Sequence, residues 1–258
     1  MKKVLSIAGS DCSGGAGIQA DIKTITAHKM YAMSVITALT AQNTTGVYGV
    51  SEVTPEFVGN QIDCVMKDIF PDSIKIGMVS SAKIIDIIAE KLIQYKAKNI
   101  VVDPVMISTS GSRLLNDDAM DALITKLIPL ATIITPNIYE AECLCGFEIK
   151  SKEDMEKAAL KISESYKGNI LVKGGHLSEC SDDLLYNNGK FTWYPSPRVD
   201  NPNTHGTGCT LSSAIACNLD KEEDVELSVE KAKDYISGAI KANLDLGRGR
   251  GPLNHCYK

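Results

Sequence analysis

The sequence predicts an α/β protein with a mostly parallel central sheet between two helical layers, in an α/β/α arrangement, and a β-hairpin at one edge. Three observations carry this. Short, nearly continuous apolar runs recur along the chain, amphipathic segments alternate with them, and one Asn-Gly pair separates two further strand-like runs. Strands that are apolar on both faces belong in sheets covered on both sides, the condition of parallel sheets crossed by helices.

The apolar runs are Val4 to Ala8, Ser34 to Thr40, Ser73 to Ile76, Asn99 to Val102, Thr132 to Ile134 and Asn169 to Val172. Between and after them, helical patterning covers Ala16 to Lys29, a segment opening at Thr54, Ala82 to Tyr95, Asp117 to Ile128, Lys152 to Ser165, Thr210 to Asn218 and Val225 to Leu244. Thr54-Pro55 is a start signal, with threonine as N-cap and proline at the first helical position before Phe57, Val58, Ile62 and Val65. Asp183 to Tyr186 and Phe191 to Tyr194 flank Asn188-Gly189, a pair suited to a tight turn, so this hairpin closes one edge. Residues 44–53 alternate enough for an edge strand that serves an interface or a partial lid. Without repeat, low-complexity tract or linker, residues 1–258 read as a single domain.

Composition narrows the function. A net charge of −5 with scattered Lys and Arg gives no basic field, so nucleic acid is not an expected partner. Asp11 and glycine-rich sequence interrupt the basic-then-apolar start before it resembles a signal peptide. No apolar run approaches the roughly 20 residues of a membrane span, so no membrane partner is expected and the reading is a soluble, cytoplasmic protein. The eight cysteines lack the short spacings of a zinc or redox motif and read as free thiols, and none of the four histidines is within helical reach of another.

In an open parallel sheet, ligands bind beyond the carboxyl ends of the strands, and the polar and glycine-rich loops fall there. Gly14-Gly15-Ala16-Gly17-Ile18-Gln19-Ala20 contains a Gly-x-Gly-x-x-Ala match between a strand and a helix. A dinucleotide site would also need an acid about 20 positions on to hold a ribose, but the next strand ends in Thr40-Ala41-Gln42-Asn43. This argues against an oxidoreductase. The stretch reads instead as a substrate-facing loop, with Asp21 on the following helix able to accept a hydrogen bond from a ligand.

Thr204-His205-Gly206-Thr207-Gly208-Cys209-Thr210 precedes a helix-forming run. Glycines leave backbone N–H groups bare and a helix start adds partial positive charge, so Gly206, Thr207, Gly208 and Cys209 form a turn suited to an anion. Such donors stabilise a migrating phosphoryl group. The dipole is expected to lower the Cys209 thiol pKa and equip it as a base. His205 is left open between a structural and a phosphate-side role. Asp103 and Glu140, each after a strand, are candidates to organise Mg²⁺ directly or through water, and Asn137, Lys173 and Thr207 are placed on the nucleotide side.

With these residues in view, the chain resembles the hydroxymethylpyrimidine and phosphomethylpyrimidine kinases of thiamine biosynthesis, within the ribokinase-like superfamily. The match runs essentially end to end, through Ala8-Gly9-Ser10-Asp11, Ala41-Gln42-Asn43-Thr44, Lys75-Ile76-Gly77-Met78, Asp103-Pro104-Val105-Met106, Thr135-Pro136-Asn137, Lys173-Gly174-Gly175-His176 and the turn ending in Cys209. The resemblance implies the three-layer fold, ATP with Mg²⁺, a homodimer or higher homo-oligomer, and two successive phosphorylations of 4-amino-5-hydroxymethyl-2-methylpyrimidine. It also implies pyrimidine contacts at Gly9, Asp21, Gln42, Met78 and Val105. A neighbouring branch phosphorylates pyridoxal. Gln42 favours the pyrimidine, because a primary amide complements the ring nitrogen and exocyclic amine of an aminopyrimidine. A catalytically silent pyrimidine- or nucleotide-binding module is the remaining alternative, opposed by the anion turn and the carboxylates.

Overall fold

The computed structural model describes residues 1–106, 115–175, 182–195, 201–219 and 224–257. His176 therefore lies outside the described residues. The strands are β1 (Lys3–Asp11), β2 (Tyr31–Asn43), β3 (Gly46–Glu52), β4 (Ser73–Ile76), β5 (Ile100–Val102), β6 (Ile133–Ile134), β7 (Asn169–Val172), β8 (Asp183–Asn187) and β9 (Lys190–Tyr194). They form one sheet in the order β3-β2-β1-β4-β5-β6-β7-β8-β9. From β2 to β7 neighbours run parallel, while β3 at one edge and β8 and β9 at the other pair antiparallel.

Alternation along each strand divides the core. Leu5, Ile100, Val102, Ile134, Ile170 and Val172 join one apolar cluster, whereas Val4, Val101, Ile133 and Leu171 join the other. The first cluster is roofed by α2 (Pro55–Asp68), α3 (Ala82–Gln94), α4 (Asp117–Ala122), α5 (Ile138–Cys145) and α6 (Lys152–Ser165). The second is covered by α1 (Gly17–Ala27), α7 (Thr207–Leu219) and α8 (Val225–Lys241). This is the three-layer arrangement expected from strands with no polar face.

Local chemistry explains most boundaries. Thr54 Oγ1 accepts from Phe57 N at 3.3 Å and Pro55 opens α2, as expected. Asn188 and Gly189 have φ of 49° and 86°, the left-handed pair a two-residue hairpin turn requires. The helix expected over Asp117 to Ile128 is instead α4, a wide turn over Leu123–Leu127 and a short 3-10 segment over Ile128–Leu130, where Pro129 cannot donate a helical hydrogen bond. Helix α5 was not expected. Residues 44–53 do form an edge strand, β3, but β2 is longer than its apolar run and projects with β3 as an exposed ribbon.

The strand order reverses at β1, with β2 on one side and β4 on the other, which puts the carboxyl ends of β1 and β4 at a topological switch point. The C-terminal residues return to this end. Gly251 O accepts from His205 N at 3.1 Å, and Thr210 Oγ1 lies 3.0 Å from His255 Nε2. Burial, with help from the Lys23 charge, lowers the His255 pKa from 6.5 to about 4. Below 6.5 the unfolded chain takes up a proton that the folded chain refuses until about 4. Stability is thus expected to fall as pH drops through this window, by roughly 3 kcal/mol. Urea midpoints at pH 7, 5.5 and 4 check this, and His255→Asn should flatten the part of the profile that this side chain causes.

Candidate active site

Loops at the carboxyl ends of β1, β2, β4, β5, β6 and β7 bring most of the expected residues together with the start of α7. Helix α7 begins at Thr207, three residues before the expected Thr210, so the Gly208 and Cys209 N–H groups belong to its first turn and have no acceptor within the helix. Thr207 N leans on Thr204 O at 3.3 Å, as does its hydroxyl at 2.8 Å, which ties Thr207 into the turn. Gly206 has φ of 85°, and a Cβ there would lie 1.9 Å from Gly15 O, so only glycine permits this turn to pack on the loop after β1. Gly206→Ala is expected to lower kcat by about tenfold or more through a displaced anion turn, measured at saturating ATP.

Beneath the turn lies an ion pair. Lys173 Nζ donates to Asp103 Oδ1 at 2.8 Å, and Thr135 donates to the same oxygen at 3.1 Å. A Cβ added to Gly208 would sit 3.3 Å from Asp103 Oδ2 and 3.4 Å from Lys173 Nζ, so the pair lies directly against the helix start. A phosphate at the turn would have Lys173 close below it.

Glu140 has a second occupation. Its Oε2 accepts from Asn137 N at 2.8 Å while Asn137 Oδ1 accepts from Glu140 N at 3.0 Å, a capping box that starts α5. Asn-x-x-Glu was the sequence signal for this missed helix. The box occupies one lone pair of the Asn137 oxygen and does not use its NH₂. Burial and the nearby Asp103 charge push the Glu140 carboxyl up to about 7 against the pull of Lys173 and the backbone N–H groups of Asn137 and Met106.

Asp21 corrects an expectation. It is fully buried, accepts from Lys75 Nζ at 2.9 Å through both oxygens, and also accepts from Ser6 at 2.5 Å and Ser213 at 2.8 Å. Its acceptor positions are filled, so it anchors Lys75 rather than presenting a free oxygen to a ligand. Sequence reasoning gave Lys75 no role, although a lysine inside the four-residue buried strand β4 requires a buried partner. Burial works against the ammonium, but the Asp21 and Asp103 carboxylates outweigh it and hold it charged.

Cys209 corrects another. Burial pushes its thiol above the ordinary value, and the Lys75 charge and the Gly17 N–H offset this only in part, with Asp21 and Asp103 adding to the rise. The helix start alone suggested a lowered value. The carboxylates and the loss of water around the sulphur reverse it, so the resting group is a thiol.

On the other side of the turn, Gly9 and Met78 are in contact, since a Cβ at residue 9 would lie 2.6 Å from the Met78 methyl carbon. Thr37 donates to Met78 O at 2.8 Å and fixes that strand end. Met78 and Val105 are half-buried after β4 and β5. Gln42 stands on β2 within 3.2 Å of His205, so His205 has partners on both β2 and the end of β1, where Asp11 Oδ2 lies 2.8 Å away. Asp11 also gathers Ser13, Gly15 and Ala16 N–H groups; its role as loop organiser was not read from the sequence.

Comparison with known proteins matches a family model described as phosphomethylpyrimidine kinase over residues 11–254. The thiamine biosynthesis bifunctional protein ThiED of Geobacter sulfurreducens is 48% identical over 98% of this chain. The chain belongs to the phosphomethylpyrimidine kinase family. It spans 52% of the length of that bifunctional relative. By contrast, it covers all of the crystallised phosphomethylpyrimidine kinase chain of Clostridium difficile 630, with 47% identity, a TM-score of 0.85 and 93% of this chain aligned. A pyridoxal kinase from Staphylococcus aureus, solved with AMP-PCP and pyridoxal, is 34% identical with a TM-score of 0.91 over 99% of this chain and 94% of its own. The family membership makes the chain a kinase, and the solved relatives support the ribokinase-like fold.

Proposed function

We propose that this chain phosphorylates 4-amino-5-hydroxymethyl-2-methylpyrimidine at the expense of ATP, first to the monophosphate and then to the diphosphate, as a step of thiamine biosynthesis. The observation that carries this is the N-terminal turn of α7 held directly above the Asp103–Lys173 pair and beside the Gly9–Met78 wall, in a chain of the phosphomethylpyrimidine kinase family. Gly9, Gln42, Met78 and Val105 form the pyrimidine side, and Asn137, Lys173 and Thr207 the nucleotide side.

In the first step, the hydroxymethyl oxygen attacks the γ-phosphorus in line while the bond to ADP breaks, and its proton passes to Cys209. Because the resting thiol is protonated, it must first lose its own proton, favoured by Lys75 and the Gly17 N–H. The Gly208 and Cys209 N–H groups face the charge that develops on the phosphoryl oxygens, and Lys173 neutralises part of it. In the second step the nucleophile is an anionic phosphate oxygen, which needs little help from a base.

The two carboxylates fit Mg²⁺ chiefly through its water shell. Asp103 and Glu140 each have one oxygen committed to protein donors, and among the described residues no cluster of three acidic, His or Cys side chains could cage an ion. Burial and the Asp103 charge push the Glu140 carboxyl up, and a nearby dication would oppose both by favouring the carboxylate. Bound there, Mg²⁺ would neutralise phosphate charge, with Asp103 and Glu140 orienting its waters.

Among the described residues no helix is long and apolar enough to cross a membrane, in keeping with a cytoplasmic enzyme. The single nine-stranded sheet favours one domain, and the exposed edge strand β3 offers a surface for a homodimer.

Coupled ATP turnover on the pyrimidine alcohol, its monophosphate and pyridoxal tests the assignment. High kcat/KM on both pyrimidines and low kcat/KM on pyridoxal is expected. A preference for pyridoxal would move the chain to the activity named for its Staphylococcus relative, and no turnover of any substrate would leave only a binding role.

A further inference from the structure

Asp11 and His205 together determine how Gln42 meets a ligand. Asp11 is nearly fully buried. Burial works against its charge, but His205, the Ser13 hydroxyl and backbone N–H, and the Ala16 N–H outweigh it and hold the carboxyl well below the usual range. An ionised carboxylate only accepts hydrogen bonds, so His205 Nε2, 2.8 Å from Asp11 Oδ2, carries the proton and donates. This holds whether or not Nδ1 also carries one.

The same Nε2 lies 3.2 Å from one end of the Gln42 side-chain amide, which could be its NH₂ or its oxygen. A donating nitrogen cannot accept from NH₂. Oxygen and nitrogen of an amide exchange by a half-turn, and the hydrogen-bond partners decide between the two settings. The end of Gln42 facing His205 is therefore its oxygen. The other end then faces Thr40 Oγ1 at 3.2 Å as NH₂, and Thr40 can accept because its own hydroxyl proton goes to Ser10 O at 2.9 Å.

An amide offers two lone pairs and two N–H groups. The single Nε2 proton, given chiefly to Asp11 at 2.8 Å, is shared with one Gln42 lone pair at 3.2 Å in a three-centre bond, and Thr40 takes one N–H, which leaves one acceptor and one donor for a ligand. That remainder complements an aminopyrimidine, which offers a ring nitrogen and an amine. The imidazole packs closely on the Gly15 backbone, where a Cβ would lie 2.3 Å from His205 Cδ2 and 3.3 Å from Pro252, and His205 N donates to Gly251 O at 3.1 Å.

Resting on the pyrimidine reading of the site, we propose that the Asp11–His205 pair is a positioning device that sets substrate specificity by locking the Gln42 amide in one orientation. His205→Ala is expected to raise KM for the pyrimidine alcohol about tenfold, move KM for pyridoxal less than about threefold and leave the two kcat values changed in parallel. The preference for pyrimidine in kcat/KM then shrinks about tenfold. An equal fall of kcat on both substrates with an unchanged preference would overturn the proposal, since His205 would then only support the turn.

The second measurement needs no variant. Nitrogen-15 NMR of the labelled histidines in the intact protein, with His205 assigned through the His205→Ala spectrum, is expected to show a proton on Nε2; a bare Nε2 overturns the proposal. Failure of the pyrimidine reading would show differently, as a wild-type enzyme that prefers pyridoxal while the proton still resides on Nε2.

Discussion

Cys209→Ala is expected to lower kcat for the free pyrimidine alcohol by about 10²–10⁴-fold, the usual contribution of a positioned base, while turnover of the monophosphate falls by less than about tenfold. The asymmetry follows from the nucleophiles. An alcohol must shed a proton to attack, and the proposed acceptor is the Cys209 sulphur at the start of α7, whereas a phosphate oxygen arrives charged. The pH dependence carries the same signature. Only the thiolate is a base, and burial places the thiol above its ordinary value. The rate on the alcohol should therefore keep rising with pH beyond the ordinary thiol range, and the rate on the monophosphate should lack that limb. Steady-state kcat measured for both substrates across alkaline pH reads both effects. Equal losses on the two substrates would assign Cys209 to phosphate binding instead.

Asp21→Ala is expected to destabilise the protein by about 3–5 kcal/mol, the cost of leaving a buried charge without its partner. Lys75 and Asp21 are both fully buried and meet at 2.9 Å, so neither can turn to water when the other is removed. The apolar pair Asp21→Leu with Lys75→Met should recover much of that loss, because it removes both charges from the interior. It should not recover activity. The ammonium favours the thiolate by more than the Asp21 carboxylate disfavours it, so with both charges gone turnover of the alcohol at neutral pH is expected to stay below the wild type. Urea unfolding and alcohol turnover on the three proteins separate the two roles. A double variant with full activity would show that Lys75 serves the fold alone.

Much of the fold was legible because its periodicities were simple. β4 and β7 coincide with their apolar runs, α6 with its amphipathic segment, and the hairpin turn with Asn188-Gly189. Misses occurred where a local rule competed with another. Pro129 and the wide turn before it broke the helix read over Asp117 to Ile128, and α5 was hidden because Asn137 and Glu140 were weighed as site residues rather than as a capping box.

For the site, sequence order identified which loops meet, since ligands gather at strand carboxyl ends, and it located the Gly206 to Cys209 turn. It did not show that Asp21 is consumed by Lys75, nor that Asp11 reaches His205 across 194 residues of chain. Both are long-range pairings between buried charges or hydrogen-bonding groups, and no spacing in the chain encodes them. The direction of the Cys209 shift was misread for the same reason. The helix start is local and visible, while the enclosing carboxylates of Asp21 and Asp103 come from distant strands and helices.

The central claim is that one site carries out both transfers. Phosphorus-31 NMR of the wild-type enzyme with ATP, Mg²⁺ and the pyrimidine alcohol follows it directly. The expected spectrum shows a monophosphate ester rising first and a diphosphate replacing it, with one ADP released at each stage. Accumulation of the monophosphate without conversion, even with ATP in excess, would contradict the two-step assignment.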